Sequence, residues 1–393
     1  MGKVMALTGN EAVAEAMRQI NPDVVAAYPI TPQTELMHKF AEYHADGLVN
    51  TELVLVESEH SALSAVVGAS AAGARAMTAT SANGLALMWE IVYITASLRL
   101  PVVMAVVNRA LSGPINIHCD HSDAMGCRDS GWLQLYSENS QEAYDNTIMA
   151  VRIAEHPDVL LPVMVTLDGF ILSHTMERID VLEDHEVRDF VGEYKPRRAL
   201  LDVEHPFTVG PLDLTDYYFE HKRQQMEGMA HAEAVVEAVS REFGERFGRH
   251  YDTVEEYQLE DAEVAIVAMG STAGTSKEVV DELRQAGEKV GLLKIRMFRP
   301  FPYDRIRNAL RGKKAVAVLD RAVAFGSYGG PVYTDVRATF YGVSDAPVLV
   351  NYIYGLGGRD ITPAHIRTAF DQLKSIARTG RVETLVGFLG LRD

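Results

Sequence analysis

A chain of 393 residues is longer than one ordinary core, and length alone predicts about two or three domains. Its 47% hydrophobic and 23% charged residues, with 30 Gly and 15 Pro, exclude a disordered or fibrous chain. The net charge of -17 argues against nucleic acid or an anionic membrane as a partner, since both require a basic footprint.

Thr8-Gly9-Asn10-Glu11 has the form of a capping box, and Val13, Ala16, Met17 and Ile20 set an apolar stripe on the helix behind it. Val24 to Ala27 predicts a buried strand that Pro29 ends. Thr31 followed by Pro32 predicts a helix N-cap with proline at the first helical position. Leu36, Met37, Phe40 and Ala41 continue that helix to about residue 45. Leu53 to Val56 predicts a second strand, and Ser58 a cap for a helix opening Glu59-His60-Ser61-Ala62. That helix is so rich in Ala, Ser and Gly that a cofactor, an interface or a closely packed neighbour must approach its backbone.

Ala76 to Thr80 predicts a third strand, followed by Ser81-Ala82-Asn83-Gly84 and a helical run that stops before Pro101. Val102 to Val107 is a fourth, nearly continuous in valine as a parallel strand covered on both faces should be. Leu111 to Gly131 is polar and irregular, and loops that long in a compact domain are often functional. A helix from Gln141 to Glu155 and a strand from Leu160 to Leu167 complete an α/β, doubly wound, mostly parallel sheet. From 171 to 260 the pattern weakens into acidic connections and a long helix, Tyr218 to Phe247, that reads as linker and bridge. A second, smaller α/β unit then begins. Its strands fall at Val264 to Ala268, Val290 to Ile295, Ala315 to Leu319 and Val348 to Tyr352, and its helices near 275–286, 303–311, 330–341 and 363–378.

Cys119 and Cys127 are the only cysteines, which excludes a disulfide framework and, with about four thiols needed, a cubane iron-sulfur cluster. The first residues lack a signal-peptide pattern and no apolar run approaches about 18 residues, so the expected compartment is the cytoplasm.

Ligands of open α/β sheets sit at the carboxyl ends of strands, which is where the Thr31 hydroxyl would lie; a plain strand-to-helix turn also explains it. Arg109 follows a wholly apolar strand, so its guanidinium must emerge at the strand end, either for a carboxylate or phosphate ligand or for a salt bridge to Asp120 or Asp123. Glu57 and Glu59 flank a helix start and could simply be caps. His118, Asp120, His121 and Asp123 read as hydrogen-bonded loop side chains, with a metal cluster as the sharper alternative. Gly270-Ser-Thr-Ala-Gly274 is not a dinucleotide fingerprint, and the glycines at 326–330 and 355–358 form either tight turns or anion nests.

Taken together, Tyr28-Pro-Ile-Thr-Pro32, Glu57-Ser-Glu-His60, Thr80-Ser-Ala-Asn-Gly84, Asn108-Arg-Ala-Leu-Ser-Gly-Pro-Ile-Asn116, Leu167-Asp-Gly-Phe170 and Arg296-Met-Phe-Arg-Pro-Phe-Pro302 resemble the alpha subunit of the pyruvate:ferredoxin oxidoreductase (pyruvate synthase) family, in order along nearly the whole chain. The resemblance implies a pyrimidine-type thiamine diphosphate-binding domain over 1–230, a bridging helix and linker over 231–260 and a transketolase C-terminal-like domain over 261–393. It implies that Glu59 is catalytic, hydrogen-bonding N1′ of the aminopyrimidine so that the 4′-nitrogen can take the C2 proton. Thr31 and Arg109 match positions that bind the 2-oxoacid carboxylate, and Tyr28, Pro29 and Asn83 lie where the cofactor binds.

The implied reaction is oxidative decarboxylation of pyruvate with coenzyme A to acetyl-CoA and CO2, with reduction of ferredoxin, or the reverse. A branched-chain or other 2-oxoacid substrate, or a non-catalytic assembly role, is the alternative. No metal ligand is expected on this chain. Mg2+ and [4Fe-4S] clusters are implied on beta-, gamma- and delta-type partner subunits, with the thiamine diphosphate site completed across an interface.

Overall fold

The structure, a computed structural model, describes residues 2–392. Its first part runs β1 (Lys3–Thr8), α1 (Gly9–Ile20), β2 (Val24–Ala27), α2 (Thr34–Ala45), β3 (Glu52–Leu55), α3 (Glu59–Ala72), β4 (Ala76–Thr80), α4 (Ala82–Leu87), α5 (Trp89–Ser97) and β5 (Val103–Asn108). It continues through α6 (Ser122–Gly126), β6 (Leu133–Tyr136), α7 (Ser140–Glu155), β7 (Val163–Asp168), β8 (Met176–Val181), α8 (Asp184–Val191) and α9 (Tyr218–Phe247). Then come β9 (Val254–Tyr257), β10 (Val264–Ala268), α10 (Thr272–Gln285), β11 (Val290–Ile295), β12 (Met297–Arg299), α11 (Tyr303–Leu310), β13 (Ala315–Asp320), α12 (Pro331–Thr339), β14 (Val348–Ile353), α13 (Pro363–Thr379) and β15 (Val386–Phe388).

The strands of the first sheet are ordered β12-β6-β7-β5-β4-β2-β3, all parallel except the edge strand β12, which runs antiparallel to β6. The doubly wound α/β expectation holds. β5 and β7 are buried along their whole length, as their unbroken apolar runs require of central strands covered on both faces. The expected capping box opens α1: Thr8 Oγ1 accepts from Glu11 N at 3.2 Å and Glu11 Oε2 from Thr8 N at 2.8 Å. α7 is almost wholly buried between the sheet, α1 and α9, and the apolar face of α9 sets Phe243 edge-on to Phe190 at 5.3 Å.

The second sheet is ordered β15-β14-β13-β10-β11-β9, parallel except for β9. After β11 the chain crosses back, so that the predicted Arg-Met-Phe-Arg stretch supplies β12 to the first sheet. The two sheets are further joined by Lys294, whose Nζ lies 2.7 Å from Glu138 and 3.0 Å from Glu142. No helix of the described residues is long and apolar enough to cross a membrane.

Candidate active site

The winding of the first sheet reverses between β2 and β4, and the crevice outside their carboxyl ends is where a doubly wound fold accepts ligands. Tyr28 to Thr31 follow β2, Glu57 to Glu59 follow β3, Ala82 and Asn83 follow β4, and Arg109 follows β5. The residues that the resemblance named for cofactor and substrate therefore all follow strands of one sheet at their carboxyl ends.

The turn after β2 departs from the expected cap. Helix α2 begins at Thr34 with Gln33 in the capping position, and the Thr31-Pro32 peptide bond is cis. Gln33 N and Thr34 N close on Ile30 O at 2.7 and 3.1 Å. The buried Gln33 side chain accepts from Ile30 N at 3.3 Å and donates to Ala79 O of β4 at 3.1 Å. No side chain caps the helix, and the exposed Thr31 side chain is uncommitted to it. Tyr28 and Pro29, at the start of the same turn, are also exposed.

Arg109 is 7% exposed. Its Nη1 donates to Thr31 O at 2.8 Å and its Nε to Asn116 O at 3.0 Å. Neither expected acid reaches the guanidinium. Asp120 accepts instead from Ser122 N at 3.0 Å and Gly357 N at 3.2 Å. Asp123 accepts the main-chain N–H groups of Arg109 at 2.9 Å, Ala82 at 3.0 Å and Ala124 at 2.7 Å, and the Asn108 side chain at 2.8 Å. Burial pushes the Asp123 carboxyl up to about 6 against those four donors. Arg109 thus carries a nearly buried positive charge fixed by two neutral carbonyls, with Nη2 unclaimed by the described residues.

Glu59 opens α3, whose predicted cap Ser58 accepts from Ser61 N at 3.2 Å. The residue is 8% exposed, and its carboxylate accepts no hydrogen bond from the described residues. It lies against the first turn of α4: a Cβ on Gly84 would stand 2.8 Å from Glu59 Oε1 and 2.6 Å from Thr80 Oγ1, so only glycine fits there. That Thr80 hydroxyl is buried without a partner. Glu57 is a surface residue bonded to the Ser61 hydroxyl, so the two glutamates part company. Asn83 is exposed, and its Oδ1 accepts Ser112 N at 3.1 Å and Ser112 Oγ at 3.0 Å, tying its turn to the Arg109 loop.

The polar loop residues go to separate tasks. His118 is exposed, while His121 is buried with Nε2 2.7 Å from Asp168 Oδ1. Asp168 also meets Arg321 at 3.1 Å and the Ser271 hydroxyl at 2.5 Å, both from the second unit. Burial opposes its ionisation, yet His121 and Arg321 together hold it below the usual carboxylate range. Cys119, His121 and Asp168 bring ligand atoms within 4.8 Å of one another, but the Arg321 guanidinium already stands at that carboxylate as its counter-charge. Asp123 is the hydrogen-bonded loop side chain that the sequence suggested, whereas the sequence suggested no role for Asn116, Asp168 or Arg321. Asn116 and Asp168 lie within family-like motifs, but the partners that define them across the units, Gly357 and Arg321, lie too far away in sequence for spacing to find.

Family models match two stretches: "Pyruvate flavodoxin/ferredoxin oxidoreductase, thiamine diP-bdg" over residues 15–241 and "Pyruvate:ferredoxin oxidoreductase core domain II" over 262–366. The chain is 65% identical to pyruvate synthase subunit PorA of Thermotoga maritima over 93% of each chain. It is 42% identical to ketoisovalerate oxidoreductase subunit VorA of Pyrococcus abyssi over 98% of this chain and 97% of that one. Among solved structures, a 2-oxoglutarate:ferredoxin oxidoreductase from Magnetococcus marinus superposes with a TM-score of 0.73 at 23% identity. That match covers 94% of this chain and 65% of the neighbour, and it shows a shared fold.

Proposed function

The chain belongs to the pyruvate:ferredoxin oxidoreductase family as its alpha-type subunit, and from that premise we propose that Glu59, Thr31 and Arg109 are its working residues on pyruvate. The observation that carries the reading is the pair of nearly buried, uncompensated opposite charges at one sheet edge. A charge held mostly out of water without a counter-ion is unfavourable, so each is understandable as one half of an interaction completed by a ligand.

The residues fit thiamine diphosphate on the pyrimidine side: Glu59 offers an unpartnered carboxylate beside the orphaned Thr80 hydroxyl, where a heteroaromatic ring nitrogen can bond. When bound, the cofactor supplies a nucleophilic C2 carbon and a sink for the electrons that departing CO2 leaves behind. Glu59 holds the proton at N1′ of the aminopyrimidine. Arg109 binds the pyruvate carboxylate by charge through its unclaimed Nη2, and Thr31 adds a hydroxyl bond from the turn whose carbonyl holds that arginine. Tyr28, Pro29 and Asn83 line the cofactor side of the same crevice.

The products are acetyl-CoA, CO2 and reduced ferredoxin, with the reverse reaction available to the same site. The 65% identity to a pyruvate synthase subunit, against 42% to a ketoisovalerate oxidoreductase subunit, favours pyruvate over a branched-chain acid. Residues 1–230 form the cofactor domain, 231–260 the bridge and 261–393 the transketolase C-terminal-like domain; the family matches, ending at 241 and restarting at 262, support a break between two units. A beta-type subunit holds the diphosphate and Mg2+, and gamma- and delta-type subunits bring coenzyme A and [4Fe-4S] clusters, in the cytoplasm. Leu55, Leu87, Trp89 and Ile115, exposed beside the site turns, support completion by a second chain.

Glu59→Gln in the assembled complex tests the proposal. Pyruvate-dependent ferredoxin reduction should fall about 10²- to 10⁴-fold, the usual worth of a positioned acid or base; a wild-type rate would remove Glu59 from the mechanism.

A further inference from the structure

The carbonyl that holds Arg109 Nε belongs to a residue that is itself gripped from the second unit. Asn116 O accepts from Arg109 Nε at 3.0 Å, its Nδ2 donates to Gly357 O at 3.0 Å, and its Oδ1 accepts from His118 N at 2.7 Å. The turn at Gly355 to Gly358 fastens the same loop twice more. Gly358 N donates to Cys119 O at 2.6 Å, and Gly357 N to Asp120 Oδ2 at 3.2 Å. Gly357 has φ +58, and a Cβ there would collide with the Asn116 amide. The turn is in its own right tethered to the joint between the units, because Arg321 Nε reaches Gly355 O at 3.4 Å while its Nη1 meets Asp168.

We propose that Asn116 is a positioning residue through which the second α/β unit aims the Arg109 guanidinium at the substrate carboxylate. This rests on Arg109 as the carboxylate-binding group. The physical case is one of constraint. The loop from 111 to 118 is mostly exposed and has no regular structure, and between its ends, held at Leu111, Ser112 and His118, the bonds of Asn116 are the ones that fix the carbonyl on which Nε depends. With Nε and Nη1 pinned, Nη2 keeps one direction. Releasing Asn116 leaves the charge in place and lets its direction wander, which weakens substrate binding without touching the reacting atoms.

The assembled complex carrying Asn116→Ala, Gly357→Ala, both, or Arg109→Ala tests this. KM for pyruvate should rise about three- to tenfold in each of the first two variants, the range of one neutral hydrogen bond, with kcat within about twofold and KM for coenzyme A unchanged. The double variant should show no further rise, because both changes cut the same link. If Asn116→Ala does not assemble, Asn116→Ser, too short to reach Gly357, is read in the same way. Additive effects in the double variant overturn the proposal. So does an unchanged KM in the Asn116 variant when Arg109→Ala raises it. An unchanged KM in Arg109→Ala itself overturns the carboxylate reading and the brace together.

Discussion

A guanidinium taken out of water and given only two neutral carbonyls is held at a cost, and Arg109 is such a group. On the proposed reading the substrate carboxylate recovers that cost. Arg109→Ala should then raise KM for pyruvate about 10- to 100-fold, the range for a charge-assisted bond worth about 1.5–3 kcal/mol. Steady-state kinetics in the assembled complex would show it, and an unchanged KM would count against carboxylate binding. Thr31 makes a companion test. Its side chain caps nothing, so Thr31→Val should change stability by less than about 0.5 kcal/mol, as exposed substitutions do, while raising KM. A large drop in melting temperature with unchanged KM would return Thr31 to a purely structural role. Arg109 was legible in sequence because a charge ending an apolar strand must emerge at the strand's end. The choice between ligand and salt bridge was not, since it turned on where Asp120 and Asp123 spend their oxygens.

Elements with a full period of their own were readable. The predicted long helix from Tyr218 to Phe247, the valine-rich β5 and the capped starts of α1 and α3 all stand where expected. The short strands β6, β9, β12 and β15, of three or four residues, escaped because partners distant in sequence define them. β1 and β8, which pair only with each other, escaped too. α2 starts late for a related reason: the residue that closes its entry is Gln33, whose partner Ala79 lies on another strand. At this scale Asp184 gives a pH prediction. Arg18, hydrogen-bonded across from α1 at 2.7 Å, holds the Asp184 carboxyl down to about 2. A folded pKa below the unfolded value stabilises the fold above the unfolded pKa, about 4, and that contribution is lost as pH falls through about 2. Asp184→Asn should therefore show a stability deficit that is constant above about pH 4 and vanishes toward pH 2. Denaturant titrations at several pH values would record it; a deficit independent of pH would contradict the ion-pair account.

At the scale of the molecule, the layer plan and the order of the two α/β units were visible in sequence, whereas the joint between them was not. That joint is buried polar chemistry: Asp168 with His121 on one side, Arg321 and Ser271 on the other, none of it periodic. Beside the carboxyl ends of the first sheet's strands lies an exposed apolar rim of Leu55, Leu87, Trp89 and Ile115. The central claim is that Glu59 of this chain activates a thiamine diphosphate whose diphosphate a partner holds. Exchange of the C2 proton of bound thiamine diphosphate for deuterium, followed by NMR after acid quench, tests it directly. Rapid exchange is predicted only in the assembled complex, falling at least about 10²-fold with Glu59→Gln while the cofactor stays bound. Wild-type exchange in the Glu59→Gln complex, or rapid exchange with this chain alone, would contradict the account.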